Sequence, residues 1–352
     1  MSFLNTNKVL YHPEKFSQWH STGDTTAPIT IKIDLTNVCN HNCPGCIDFD
    51  LIANDNNQLK LELFDQLLPD LRKMGVKGVN YTGGGEPTTH KRFFEIIKKT
   101  NENNLDIGLI TNGSRFHRFP MHEILDMFTW IRVSFDSYDE ETHKKTHGST
   151  AKFNQMVENV KKLVQIKEEQ DFDTTIGLGF ITNQYPEMDR NLHRFVSLSR
   201  ELGVDYAQLR PSFGFLYDYE SISVQEWDEI FKKAKGYETD KFSVYIDRKK
   251  FEKILAGNVQ RCYSYCHAQS FKSTTISATG DVYVCCSLSG RPEGHIGNIK
   301  EQSFYDIWNG NTRKEVLEKL DVGKCPHLCV GDNMNEYLEH FKNNKPQHKN
   351  FL

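Results

Sequence analysis

The run Asp34-Leu-Thr-Asn-Val-Cys39-Asn-His-Asn-Cys43-Pro-Gly-Cys46-Ile47 decides how this chain is read. It follows a short apolar, β-rich stretch, so its three cysteines, separated by three residues and then two, fall on a loop at a strand end. Three thiolates offered to a [4Fe-4S] cube, where four are usual, leave one iron open to another ligand. Half of a zinc site is the competing reading, because Cys-x2-Cys pairs are common zinc hooks. His41 lies inside the loop but is badly placed as a fourth zinc ligand, and the spacing favours the cluster.

Around this loop lie 352 residues with a formal net charge of -4, 38% hydrophobic residues and nine cysteines. That length carries one large α/β domain and a smaller one. No stretch approaches the ~20 apolar residues of a membrane helix, and residues 1–20 lack the apolar core of a secretory signal, so a cytoplasmic protein is expected. A reducing compartment keeps thiols free, so the cysteines point to metal or catalysis rather than disulfides. Apart from a short basic tail at 342–349, Lys and Arg are interspersed with Asp and Glu, and no basic stripe asks for nucleic acid.

From about 29 to 211, short β-rich runs alternate with longer amphipathic segments, the pattern of βα units around a parallel sheet. Strands are expected at 29–35, 78–81, 107–110, 130–135, 174–181 and 206–209, and helices at 59–74, 93–103, 122–128, 153–168 and 188–202. Six units are too few to close an eight-stranded barrel. The expected fold is α/β, a partial (β/α)6 TIM-like barrel with its ligands at the C-terminal strand ends, followed by a C-terminal β-hairpin/helix auxiliary-cluster domain. The boundaries read as an extension at 1–28, the barrel at 29–211, a connecting region at 212–260 with a helix near 224–235, the auxiliary domain at 261–342 and a tail at 343–352. Within the auxiliary domain, 273–284 reads as a hairpin turning at Thr279-Gly280-Asp281, and 303–320 as one helix.

One βα unit after the cysteine loop comes Tyr81-Thr-Gly-Gly-Gly-Glu-Pro87. Glycines at 83–85 let the backbone approach a ligand closely, and Glu86 offers a carboxylate to an amino group. A Gly-rich turn alone is a common loop. Together, the cysteine loop and the glycine turn closely resemble the radical S-adenosylmethionine (SAM) superfamily. The resemblance implies that Cys39, Cys43 and Cys46 hold a cluster whose open iron chelates the amino and carboxylate groups of SAM. It implies that Gly84, Gly85, Glu86 and Pro87 hold the methionine amine, and that Ser134 and Asp136, in Trp130-Ile-Arg-Val-Ser-Phe-Asp-Ser137, face the ribose and methionine end. Ile47 and the apolar residues and glycines of 174–183 would lie beside adenine. Where many relatives carry an arginine before glycine, this chain has His147-Gly148, so the SAM carboxylate falls to His147, to nearby Lys145, or to a contact made elsewhere. Members of the superfamily cleave SAM reductively to methionine and a 5′-deoxyadenosyl radical, which takes a hydrogen atom from an unactivated C–H bond. Gln208 and Arg210, at the end of the sixth strand, are candidate substrate contacts, with a solvent-exposed arginine as the alternative.

Cys266 is followed by thirteen residues to Gly280, then four to Cys285, and later by Cys325-Pro-His-Leu-Cys329. Four such thiolates can enclose a second cluster or a zinc ion. With His295-Ile-Gly-Asn-Ile299 and Ile307-Trp-Asn309 behind it, the pattern resembles the SPASM/Twitch extension of radical SAM enzymes. The cysteine supply fits the shorter Twitch form, with one auxiliary [4Fe-4S] cluster. Cys262 and Cys286 are left over, either as buried structural thiols or as hydrogen-atom donors of the kind radical epimerases use. By analogy with Twitch-containing dehydrogenases, the resemblance implies an oxidoreductase for a sugar or cyclitol alcohol, with the second electron passing to the auxiliary cluster. Alternatives are a redox-neutral epimerase of a sugar or peptide, and a peptide-modifying maturase. The expected partners are a small-molecule or peptide substrate and a flavodoxin- or ferredoxin-type electron donor. A zinc-bound, non-catalytic protein would leave the glycine turn without a role.

Overall fold

The computed structural model describes residues 6–48, 55–148, 150–182, 184–212, 221–255, 260–272, 274–326 and 329–343. Its first strand, Thr30–Asp34 (β1), shows why the chain builds a barrel wall. Alternation sends Ile31 and Ile33 into the core and leaves Lys32 and Asp34 on the opposite face. The same pattern recurs in Gly78–Thr82 (β2), Asp106–Thr111 (β3), Trp130–Ser134 (β4), Thr175–Thr182 (β5) and Tyr206–Pro211 (β6), each pairing in parallel with the next. Amphipathic helices cover the outer face. Glu62–Lys73, for example, buries Phe64, Leu67, Leu68 and Leu71 at helical spacing.

The sheet runs further than six strands. Ser243–Ile246 (β7) adds in parallel to β6, inside what the sequence presents as a connecting region. The expected helix beside it forms over Val224–Lys235, with the Ser223 side chain accepting from Glu226 N. At the other edge, Thr275–Ile276 (β8) pairs in parallel with β1, and Asp281–Tyr283 (β9) and His295–Asn298 (β10) follow antiparallel. The result is one ten-stranded sheet in the order β10-β9-β8-β1-β2-β3-β4-β5-β6-β7. The hairpin is therefore a continuation of the barrel sheet beyond β1.

Two further expectations change. The segment 303–320 is two helices, Phe304–Asn309 and Asn311–Lys319, because Gly310 is extended and a Cβ there would lie 2.7 Å from the Asp306 carbonyl. The N-terminal extension is a structural part of the auxiliary half. Its helix, Pro13–Thr22, buries Trp19 in a small core with Ala268, Phe271, Met334 and Leu338. Asp24 receives the buried Arg313 guanidinium at 2.6 and 3.0 Å, and Trp308 Nε1 donates to Thr25 O at 3.0 Å. The tail from 344 lies outside the described residues.

Candidate functional site

The cysteine loop and the glycine turn are stitched to each other. Gly85 N donates to Thr36 O at 2.7 Å and Glu86 N to Val38 O at 2.9 Å. A Cβ on Gly85 would sit 2.1 Å from Val38 O, and one on Gly84, which has a φ of 67°, 2.5 Å from Asn37 Oδ1. These glycines are thus required by contact with the strap leading into Cys39, a demand separate from any ligand. Pro87 opens a 3-10 turn in which the buried Glu86 accepts from Thr88 N, Thr88 Oγ1, Thr111 Oγ1 and Asn112 N at 2.6 to 3.1 Å. Burial pushes its pKa up, and the four donors oppose that rise. The Glu86 carboxylate knots the ends of β2 and β3. Three of its donors bond Oε1 and one bonds Oε2, so Oε2 keeps the larger spare accepting capacity.

Cys39, Cys43 and Cys46 are unbridged and half-buried. Burial raises all three thiol pKa values, Cys46 to about 11, and Cys39 and Cys46 add to the rise at Cys43. A centre that displaces the thiol protons itself suits such a set, on which no cation among the described residues acts. Ile47 beside them is 75% exposed.

Below the loop stand three histidines. His143 stacks on His147 at 4.4 Å, and His41 meets His147 edge-on at 5.5 Å. Burial and mutual repulsion hold His41 down to about 4, and His143 and His147 to about 3. His147 spends both ring nitrogens, one on Ser134 O at 3.0 Å and one on Thr146 Oγ1 at 2.9 Å. Expected as a contact for the SAM carboxylate, His147 is instead a neutral brace between its helix and β4. Lys145 points away, paired with Glu187.

Cys266, Cys285, Cys325 and Cys329 line one small pocket together with Val284 and Leu320. Burial, reinforced by neighbouring thiols, raises Cys285, and burial lifts Cys329 to about 12. Asn335 Nδ2 reaches Cys266 Sγ at 3.5 Å, and Gly331 N reaches Cys329 Sγ at 3.4 Å, contacts of the kind that tune ligating sulfurs. Cys286, next in sequence, lies within electrostatic reach of Lys32 on β1 and of Lys272, between this pocket and the barrel wall. Cys262 is exposed and is not part of the pocket lining, so the structure does not bring that candidate hydrogen donor to the site.

The inner faces of the strands form a polar lumen. On β1, Lys32 pairs with Asp34 at 3.2 Å, and Asp34 and Asp48 keep the lysine charged against the cost of burial. Burial lifts Asp34 to about 6. Across the sheet, Arg132 and Ser134 of β4 alternate onto the same side as Gln208 and Arg210 of β6, and Arg132 Nη1 donates to Gln208 Oε1 at 2.9 Å. Strand β4 ends at Ser134. Asp136 lies beyond it in a left-handed turn (φ 44°) and accepts from Ile181 N at 2.6 Å, with its pKa raised by burial to about 6. Sequence reasoning passed over Lys32, Asp34 and Arg132. Their signal was a charge at every second position of an otherwise apolar strand.

Comparison with known proteins agrees with this geometry. The model of the radical SAM superfamily matches residues 33–195, and that of the SPASM iron-sulfur cluster-binding domain matches 266–331. The chain belongs to the radical SAM superfamily and carries a C-terminal SPASM domain. Its cofactors are accordingly SAM, the SAM-binding [4Fe-4S] cluster and auxiliary iron-sulfur centres. It is 27% identical over 208 residues to a probable GTP 3′,8-cyclase of Saccharolobus islandicus, covering 58% of this chain and 64% of that one. It is 25% identical to the AdoMet-dependent heme synthase of Methanosarcina barkeri over 87% of this chain and 91% of the relative. Streptococcus suis SuiB bound to S-adenosylmethionine shares the fold with a TM-score of 0.66 at 15% identity, over 86% of this chain and 71% of SuiB. Among the described residues no helix is long and apolar enough to cross a membrane.

Proposed function

We propose that this protein is a cytoplasmic radical SAM oxidoreductase acting on a small organic substrate held in the barrel lumen. The observation that carries the reading is the continuous sheet, which runs from β1, one wall of the lumen, through β8 to β9, whose end leads into Val284 and Cys285 of the four-cysteine pocket. When loaded, the Cys39/Cys43/Cys46 site with SAM supplies the 5′-deoxyadenosyl radical as hydrogen-atom acceptor, and the Cys266/Cys285/Cys325/Cys329 site supplies the acceptor for the second electron. The chain's own residues position the substrate, exclude water and take its proton. Asp34, held near pH 6 and facing the Gly83 turn, is the base within the lumen, and Lys32 steadies its charged form. Ser134, Asp136 and the Gly84–Pro87 turn are the SAM contacts in this reading, Ile47 covers the adenine, and a flavodoxin- or ferredoxin-type protein delivers the first electron.

A sugar or cyclitol alcohol is the substrate class that fits a net two-electron oxidation. A peptide is the second reading, supported by the likeness to SuiB bound to its precursor peptide SuiA and to a PqqA peptide cyclase. The electrostatic reach of Cys286 to Lys32 of the lumen wall supports a third, in which its thiol returns a hydrogen atom and the enzyme epimerises. Anaerobic reconstitution, iron counting and assay of 5′-deoxyadenosine with SAM and a strong reductant test the whole reading. About eight irons per chain with deoxyadenosine formed is the expected result. Zinc in place of iron would overturn it.

A further inference from the structure

The two walls of the lumen differ in charge balance. Lys32 has two carboxylates beside it, Asp34 and Asp48. Arg132 and Arg210 share Asp136 as a nearby carboxylate, and that group already accepts from Ile181 N; Arg210 has a second acid, Asp247, within electrostatic reach, whereas Arg132 has no other among the described residues. Each arginine raises the cost of charging the other: burial and then Arg210 bring Arg132 down to about 9, and burial lowers Arg210. The Nε atoms of both are sealed from solvent and meet no acceptor among the described residues. Strand β5 runs between them with a glycine at the critical place: Gly179 pairs with Ser134 on one side and Gln208 on the other, and a Cβ there would touch Arg132 Cδ at 3.5 Å. The sheet therefore leaves a gap, without a side chain, beside two guanidinium groups whose Nε atoms meet no acceptor among the described residues, although Arg132 Nη1 donates to Gln208. Buried donors and an uncompensated buried charge are costly unless a ligand completes them, and a planar fork matches carboxylate or phosphate oxygens.

We propose that Arg132 and Arg210, over Gly179, form an anion clamp that anchors a carboxylate or phosphate group of the substrate. This rests on the radical SAM reading and narrows it. Acidic sugars, sugar phosphates and peptides presenting a carboxylate fit the clamp, whereas a neutral cyclitol offers hydroxyl acceptors but no charge to balance the two guanidinium groups.

The carboxylate of SAM is the other possible source of the anion, and the test separates the two. The anaerobically reconstituted full-length protein is titrated calorimetrically with inorganic phosphate, with and without saturating SAM. The expected result is one phosphate bound per chain in the presence of SAM, with affinity falling about tenfold or more in Arg210→Gln and in Arg132→Gln. Arg210→Lys, which keeps the charge and loses the fork, should retain part of the affinity and serves where a glutamine variant fails to fold. Absence of phosphate binding to the wild-type protein would overturn the clamp. So would its displacement by SAM, which would assign the arginines to the cofactor. Deoxyadenosine formation by the wild-type protein is measured separately, so failure of the enzyme reading is distinguishable from failure of the clamp.

Discussion

The two thiol sets of this protein are built in opposite ways. Cys39, Cys43 and Cys46 come from a single eight-residue loop held by short-range contacts to the glycine turn. Cys266, Cys285, Cys325 and Cys329 are gathered from 64 residues by a hairpin, short helices and the packing of the N-terminal segment. The first set offers three donors beside an open lumen, and the second offers four around an enclosed pocket. An incomplete donor set leaves a place for a second ligand, while a complete one suits storage or passage of an electron.

The largest effect should come from breaking the local set. Cys43→Ala should reduce deoxyadenosine formation by more than ~100-fold, beyond what loss of an outer-shell partner costs, while about four of about eight irons remain. Retained deoxyadenosine formation would show that the loop is not the SAM-binding centre. Breaking the dispersed set should do something different. Cys285→Ala should lower the iron to about four per chain and stop net substrate oxidation, with SAM cleavage persisting. If oxidation continued at the wild-type rate, the four-thiol pocket would not be the electron acceptor.

The same contrast explains what could be read in the sequence. Strands β1 to β6 and the two motifs at their ends were legible because hydrophobic periodicity and close cysteine spacing are local signals. Strand β7 was hidden because Ser243–Ile246 is four residues long and its pairing with β6 is a tertiary fact. The 303–320 segment looked like one helix because the break lies in the backbone alone, in the extended conformation of Gly310 (φ -71°, ψ 162°). For the site, spacing placed all seven cysteines in two groups, and the structure brings the second group to one pocket. Spacing could not show that His147 spends both nitrogens on the protein, or that the Gly84–Gly85 pair answers to Val38 and Asn37. The role of the first 28 residues was unreadable because their partners, Arg313 and the 268–271 turn, lie more than 240 residues away.

That long-range packing gives the next prediction. Asp24→Asn leaves the Arg313 guanidinium buried with Gln269 but without its charge partner. Breaking a buried pair on one side is destabilising by several kcal/mol, and the partial exposure of Asp24 reduces this to about 2 kcal/mol. The melting temperature of the reconstituted protein should fall by roughly 3 °C, with iron lost from the four-thiol pocket before the three-thiol loop. An unchanged melting temperature would show that the N-terminal segment does not support the dispersed set.

The smallest effect separates the two regions by pH. Under the three-thiol loop, His143 is held down to about 3 by burial and by His147, and its Nε2 has no partner among the described residues. In the auxiliary half, the buried His267 is also lowered by burial, but Glu339 at 2.7 Å works in the opposite direction. A histidine whose folded pKa lies below its unfolded value contributes stability that is complete above about pH 6.5 and is lost as the pH falls, because the unfolded chain then takes up a proton that the folded chain refuses. For His143 the window runs from 6.5 towards 3, with a limiting slope of about 1.4 kcal/mol per pH unit. Phe135 and Phe153 surround the ring at 6.2 and 5.7 Å, so His143→Phe should fit the site at the loss of one hydrogen bond to Ser137. The variant should therefore melt slightly lower than wild type at pH 7.5 and lose less stability on going to pH 5.5. Replacing His267 by Phe should flatten the profile less, since its carboxylate partner already offsets part of the acid penalty. Equal pH profiles for wild type and His143→Phe would show that His143 takes up its proton in the folded protein as readily as in the unfolded chain, and would remove acid sensitivity as a difference between the two thiol regions.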